Sequence, residues 1–514
     1  MRFIVLRWLA VSERLVALLS IFPFAAASFA STKPRYGGVL RVELLASSTT
    51  LDPRAWKAGS RDFGTNERLA ALVFDRLVAL DNYGRFVPQL ATEWSHDASS
   101  RRWQFTIRAD VKFSDGSALS AADVAAALAP LLPEDLKVAA TGNSVVFQAT
   151  EQRADLLELL ASGRFFVFRA QPDGSLVGTG AFKLEEAGKG TRPAAADSPS
   201  VAQTSLQRLN FAANELCWAG RPFLDAIDVT LGVPPLRALF DLQVGKAELV
   251  ELAPDMVRRA NQANTRVWAS SPLTLYGLRF DDAQPQTTNE KLREALSLSL
   301  DRMTMAGVLL QKQAEPAAAL LPQWLSGYAF LFHGETNVER AKELRVSLPA
   351  NVAGGASPLR LQTDVSGDLA RLLAERVAVN ARQTGISVQP LGKARDGNAR
   401  TADPAELHLF AWRIFSLSPG EELRSLAKAQ RVEEAKEGNL SDPDRRYAWE
   451  RKILEERKLM PLVALPDYAG LATTVRDWQP SPWGEWQLAD VWLEPAQAPK
   501  TTAPPNSAPN GARP

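Results

Sequence analysis

The places where this chain could carry chemistry are three histidines, one cysteine and a few short serine- and glycine-containing strings. His96, His333 and His408 stand far apart, with no helical ligand spacing and no cysteine cluster beside them, so a built-in metal site is not expected. Cys217 is the single cysteine, which excludes an internal disulfide. It reads either as a reactive thiol or as a small packing residue, with no His or basic residue adjoining it to lower its pKa. Gly178-Thr179-Gly180 is followed by no helix with a dinucleotide fingerprint, and no P-loop or Gly-x-Ser-x-Gly elbow occurs. Ser425-Leu426-Ala427-Lys428 matches the serine–lysine pair of penicillin-recognising enzymes, but without the partner motifs. Carboxylates are plentiful, yet nothing in their spacing pairs an acid with a base. No catalytic residue and no cofactor is expected.

The elements that must position whatever function remains alternate strand with helix. Trp103 to Arg108 alternates apolar and polar residues with period two, as a half-buried strand does. Asp81-Asn82-Tyr83-Gly84 and Phe113-Ser114-Asp115-Gly116 read as turns, and Ser120 with Asp123 forms a capping box that opens a helix. Further strands are expected at 144–149, 227–231, 275–280, 359–363, 385–388, 407–412 and 487–493. Helices are expected at 154–161, 235–244, 290–310, 338–348, 368–381 and 445–458. Such alternation is the pattern of an α/β fold with open sheets. Residues 187–204 are polar and rich in Gly, Pro, Ala and Ser, the composition of a mobile surface loop.

A chain of 514 residues is long enough for two or three domains, with 46% hydrophobic and 23% charged residues. Its net charge of +1 offers no basic field for a nucleic acid backbone or an anionic membrane. Arg2, Arg7 and Arg14 precede an apolar run from Leu15 to Phe24, and small residues follow up to Ala30. The run is shorter than the about twenty residues of a membrane span. Residues 1–30 are therefore read as a signal peptide cleaved after Ala30. Cys217 lies far from that site, so no cysteine is placed to carry a lipid, and the expected location is the periplasm. The tail 496–514 is rich in Pro, Ala and Asn and is expected to be disordered.

The stretch Leu72–Val124 resembles the signature of one family, the extracytoplasmic solute-binding proteins of peptide- and nickel-type ABC importers (solute-binding protein family 5). Asp75, Leu77, Val78, Leu80, Asp81, Gly84, Val87, Pro88, Leu90, Ala91 and Trp94 match the first half of its consensus. Arg108, Val111, Phe113, Asp115, Gly116, Ala121, Asp123 and Val124 match the second. Arg76 stands where the family usually has Gly. Gly178–Leu184, Asn214–Asp225, with Cys217 in place of Tyr, and Leu292–Arg302 resemble later family strings. The resemblance implies a two-lobed, hinged α/β fold of the periplasmic-binding-protein type II class, with an extra subdomain on the first lobe. It divides the chain into a first lobe (35–50, 177–270 and 472–495), the subdomain (51–176) and a second lobe (271–471).

It also implies a function, namely capture of a peptide or similar small solute between the lobes and delivery to an ABC permease and ATPase complex at the inner membrane. The protein would act as a monomer, with no nucleic acid partner. Ser47, Ser48 and Thr49 lie in the loop that borders the cleft in relatives, and Tyr276 on the 275–280 strand joins them as a candidate. Peptide-binding relatives carry an Asp shortly after a strand ending in Trp. Here the chain reads Trp412-Arg413-Ile414-Phe415, with Glu421 and Glu422 beyond. Trp412 and Phe415 are candidate aromatic walls, and Glu421 a candidate substitute carboxylate. Arg413 has the opposite charge and would favour a carboxylate or other anion. Two further readings stay open: a secreted hydrolase that reuses the fold, and a sensor or scaffold that no longer transports.

Overall fold

In the computed structural model, described for residues 33–185, 206–281, 285–349, 352, 357–391, 405–432 and 440–495, one long sheet carries both lobes. The segments expected to be a signal peptide (1–30), a surface loop (187–204) and a disordered tail (496–514) all lie outside the described residues. The sheet runs Phe182–Glu185, Gln207–Ala213, Ala226–Leu231, Val39–Leu44, Leu249–Leu252, Leu459–Leu471, Arg266–Phe280, Leu407–Arg413, Leu359–Thr363, Val388–Leu391.

Its two central strands are antiparallel and unusually long. At one end Leu459–Leu471 pairs with Leu249–Leu252. At the other end Arg266–Phe280 pairs with Leu407–Arg413. Each lobe is thus built on opposite halves of the same two strands. Between the halves the register shifts twice, and Pro272 faces Pro466. Neither proline has an N–H to give to the ladder, so pairing is weakest where the lobes meet.

The first lobe pairs Val39–Leu44 in parallel with Ala226–Leu231 and Leu249–Leu252, with the helices Pro235–Gln243 and Pro254–Gln262 following two of these strands. Leu40, Leu44, Phe74, Phe182, Phe211 and Ile227 are fully buried in its core, each worth about 1.5–3 kcal/mol of apolar burial. The subdomain adds a four-stranded antiparallel sheet and the helix Ala121–Leu128, whose Ser120 and Asp123 make both bonds of the capping box. In the second lobe Leu278, Leu292, Leu296, Leu361, Val377 and Leu407 form a separate core.

Two expectations need correction, and one helix was not expected. The helix expected at 290–310 stops at Ser299, because Asp301 turns its carboxylate onto the N–H and hydroxyl of Thr304 and caps a new, irregular segment. The strand expected at 487–493 is reduced to Trp492–Leu493, paired with Val475–Arg476. The chain before it returns to the first-lobe core without regular structure, burying Trp486, Leu488 and Val491 there. An unexpected helix, Pro419–Ala429, follows Ser418, whose hydroxyl accepts the N–H of Glu421.

Candidate functional site at the seam between the lobes

The second lobe reaches the first through residues 412–418, which leave the Leu407–Arg413 strand at the hinge. The Arg413 backbone N–H donates to Gly59 O at 3.1 Å, and its guanidinium makes two 2.7 Å contacts with the Asp467 carboxylate. Asp467 lies one residue past Pro466, on the floor of the seam. Arg68, from the first-lobe helix Phe63–Val73, binds the same carboxylate. It also approaches Glu251 at 3.4 Å, donates to Gly484 O and lies over the Trp486 ring. Burial alone would raise the Asp467 carboxyl, but Arg413 and Arg68 outweigh it and hold it down at about 2.

Gly64 and Gly59 make room for this knot. A methyl group on Gly64 would overlap the Arg413 guanidinium, and one on Gly59 would overlap the Trp412 indole. A second charged group sits beside it. Arg76 binds Glu67 at 2.8 Å and Glu485, and donates to Gly163 O. Burial pushes the Glu67 carboxyl up to about 7 against the opposing charge of Arg76. Glu67, Glu485, Trp324, Phe415 and Trp483 line a cavity of about 20 Å³, room for about one water. Farther along, Leu417 N–H donates to Ser162 Oγ at 2.9 Å, and Asp155 accepts from the hydroxyls of Ser418 and Ser441.

Trp412, Arg413 and Phe415 therefore meet at the seam, Phe415 with its ring 5.8 Å from that of Phe63 across it. The other candidates go elsewhere. Ser47 and Ser48 are exposed, Ser47 beside Gly232, and Thr49 donates to Asn66. Tyr276 is buried in the second-lobe core. Glu421 sits in the first turn of its helix and pairs with Arg424. Its neighbour Glu422 is fully buried, accepting from Trp412 Nε1 and the N–H groups of Phe415 and Ser416. The expected anion-binding role of Arg413 meets a carboxylate of its own chain.

The sequence reading missed Glu67, Arg68, Glu251, Asp467 and Glu485. Asp467 had a local signal, a lone acid inside the apolar run Met460–Leu471. A larger cavity of about 260 Å³, lined by Leu273, Ala317, Leu320, Phe330 and Phe332, flanks the hinge but is mostly apolar. The charged chemistry is at the seam, so the smaller cavity is the better candidate. Among the described residues, no group of three or more His, Cys, Asp or Glu is placed to hold a metal, and no helix is long and apolar enough to cross a membrane.

Residues 85–432 match the profile of the bacterial extracellular solute-binding proteins, family 5 Middle. The chain is 24% identical over 356 residues to the nickel-binding periplasmic protein of Escherichia coli (strain K12), covering 63% of this chain and 66% of that one. It is 24% identical over 336 residues to the periplasmic murein peptide-binding protein MppA of the same organism, covering 56% and 59%. The chain spans about half to two thirds of the length of the curated relatives it matches. Among solved structures, NikA from Brucella suis superposes with a TM-score of 0.70 at 18% identity, covering 89% of this chain and all of that one. The oligopeptide-binding protein AppA from Bacillus subtilis gives 0.66 at 18% identity, covering 90% of this chain and all of that one.

Proposed function

Because the chain belongs to the bacterial extracellular solute-binding proteins of family 5, we propose that it is the solute-binding component of an ABC importer. It captures a peptide or similar small solute between its lobes and delivers it to a membrane permease. The observation that carries this reading is the crossing at Pro272 and Pro466, where two strands with interrupted pairing join the halves of the sheet. Residues of both halves face each other across the seam beyond it. The cavity between Glu67, Glu485, Trp324 and Phe415 holds only about one water, so a solute would enter there by hinge opening. Differential contacts to the two lobes then supply the energy of closure, and the partner ATPase supplies the energy of transport. No bond of the solute is made or broken.

The proposed location is the periplasm, reached by cleavage after Ala30, and the proposed state is a monomer. The relatives' names range from nickel to murein peptide, and AppA was solved with a nonapeptide. The solute class is therefore tested by a thermal-shift screen of di- to pentapeptides, opines, sugars and nickel chelates. One class is expected to raise the melting temperature saturably, with the hit recovered unchanged. No stabilising class among these solutes would count against the reading. Steady product release would favour a hydrolase.

A further inference from the structure

The Arg413–Asp467 contact does what a bound solute does in a hinged protein, since it ties one lobe to the floor of the seam and through it to the other. Arg413 is only 6% exposed, and its two terminal nitrogens each meet one oxygen of Asp467 at 2.7 Å in a parallel fork. Arg68 of the first lobe holds the same carboxylate from its other side. The space for the guanidinium is cut into the first lobe. Gly64 has no side chain where the guanidinium lies, and a methyl group on Gly484 would come within 3.3 Å of Arg413 Nη2. Arg413 N–H to Gly59 O and Leu417 N–H to Ser162 Oγ span the same seam. These bonds form only when the lobes are together.

We propose that Arg413 is a tethered surrogate for the cationic group of a solute. Its guanidinium occupies an anionic site at Asp467, closes the lobes with no solute present, and reserves that site for ligands bearing a guanidinium or ammonium group able to replace it. The last clause rests on the seam being the solute site. The closure itself does not, and it is measured without any solute or permease.

The test uses Arg413→Ala in the purified protein, with small-angle scattering for lobe closure and thermal unfolding for stability. Methylguanidinium chloride is the probe, against sodium chloride at equal ionic strength. The wild type is expected to be closed without solute and indifferent to methylguanidinium. Arg413→Ala is expected to have a larger radius of gyration and a lower melting temperature. Millimolar methylguanidinium should reverse both saturably, raising the melting temperature by about 1–3 °C at ten times its dissociation constant. Adding Asp467→Asn should abolish the rescue.

An open solute-free wild type overturns the proposal even where Arg413→Ala does not fold. So does an Arg413→Ala variant that stays closed, or one that sodium chloride rescues as well as methylguanidinium does. A failed solute screen with intact rescue would sink the transport reading and spare this one. The reverse outcome would spare transport.

Discussion

Arg76 stands where the family usually has glycine, and its side chain explains what the departure does. It is 4% exposed and holds two carboxylates, Glu67 and Glu485, that would otherwise face each other in a buried space. Its guanidinium also lies 4.1 Å from the Phe166 ring centroid. Removing one partner of a buried ion pair costs more than the pair contributes, because the remaining charges lose their compensation. Arg76→Ala is therefore expected to cost about 3–5 kcal/mol in urea unfolding. Adding Glu67→Gln and Glu485→Gln should recover part of that loss. An Arg76→Ala variant as stable as wild type would show that the seam tolerates two uncompensated acids. Glu450 poses the same question inside the second lobe, where it is fully buried and accepts from Leu320 N–H, Leu321 N–H and Tyr328 O–H. Glu450→Ala orphans all three donors and should cost about 3 kcal/mol by the same measurement.

Helices and strands that answer to their own neighbours behave as local chemistry dictates. The Ala121–Leu128 helix begins at Ser120 because that hydroxyl accepts the Asp123 N–H and the Asp123 carboxylate returns to the Ser120 N–H. Ser120→Ala should cost about 1 kcal/mol, read as a lower urea midpoint with unchanged slope. This cap, the strand Arg102–Ile107 and the family signature around them were legible because each lies within a few residues. The Pro419–Ala429 helix had the same signal, Ser418 three residues before Glu421, and could have been read from it. The seam could not. Arg68 and Asp467 are 399 residues apart, and Arg68 and Gly484 are 416 apart. No periodicity links residues at that distance, so only the topology brings them together. The helix break at Asp301 was misread for a related reason. The apolar spacing of Glu290–Leu310 fits one helix, and it was a capping bond that decided against it.

At the scale of the whole molecule, the second lobe holds fully buried glutamates that favour their protonated form. Burial pushes Glu422 up to about 8 and Glu450 up to about 7, each against the hydrogen bonds it accepts. In the unfolded chain the same groups titrate near the ordinary glutamate value of 4.5. Between these values the native state binds protons that the unfolded state has released, so stability must fall as pH rises. Their contribution is fully present below about 4.5 and lost as pH climbs through 7 to 8. Asp467, held down at about 2, acts in the opposite sense and matters only when pH falls below the ordinary aspartate range. The urea midpoint is therefore expected to decline from pH 5 to pH 8, and Glu422→Gln should flatten the decline above pH 7. A midpoint that holds level or rises across that interval would mean that these carboxylates are ionised in the native protein. Glu422 accepts from the Trp412 indole and the backbone N–H groups of Phe415 and Ser416, bonds that a carboxylate accepts at least as well as the acid, so the loss at high pH comes from burying its charge and not from losing these contacts. Alkaline pH should then lower stability with the seam contacts intact, so the radius of gyration should rise only together with the loss of secondary structure.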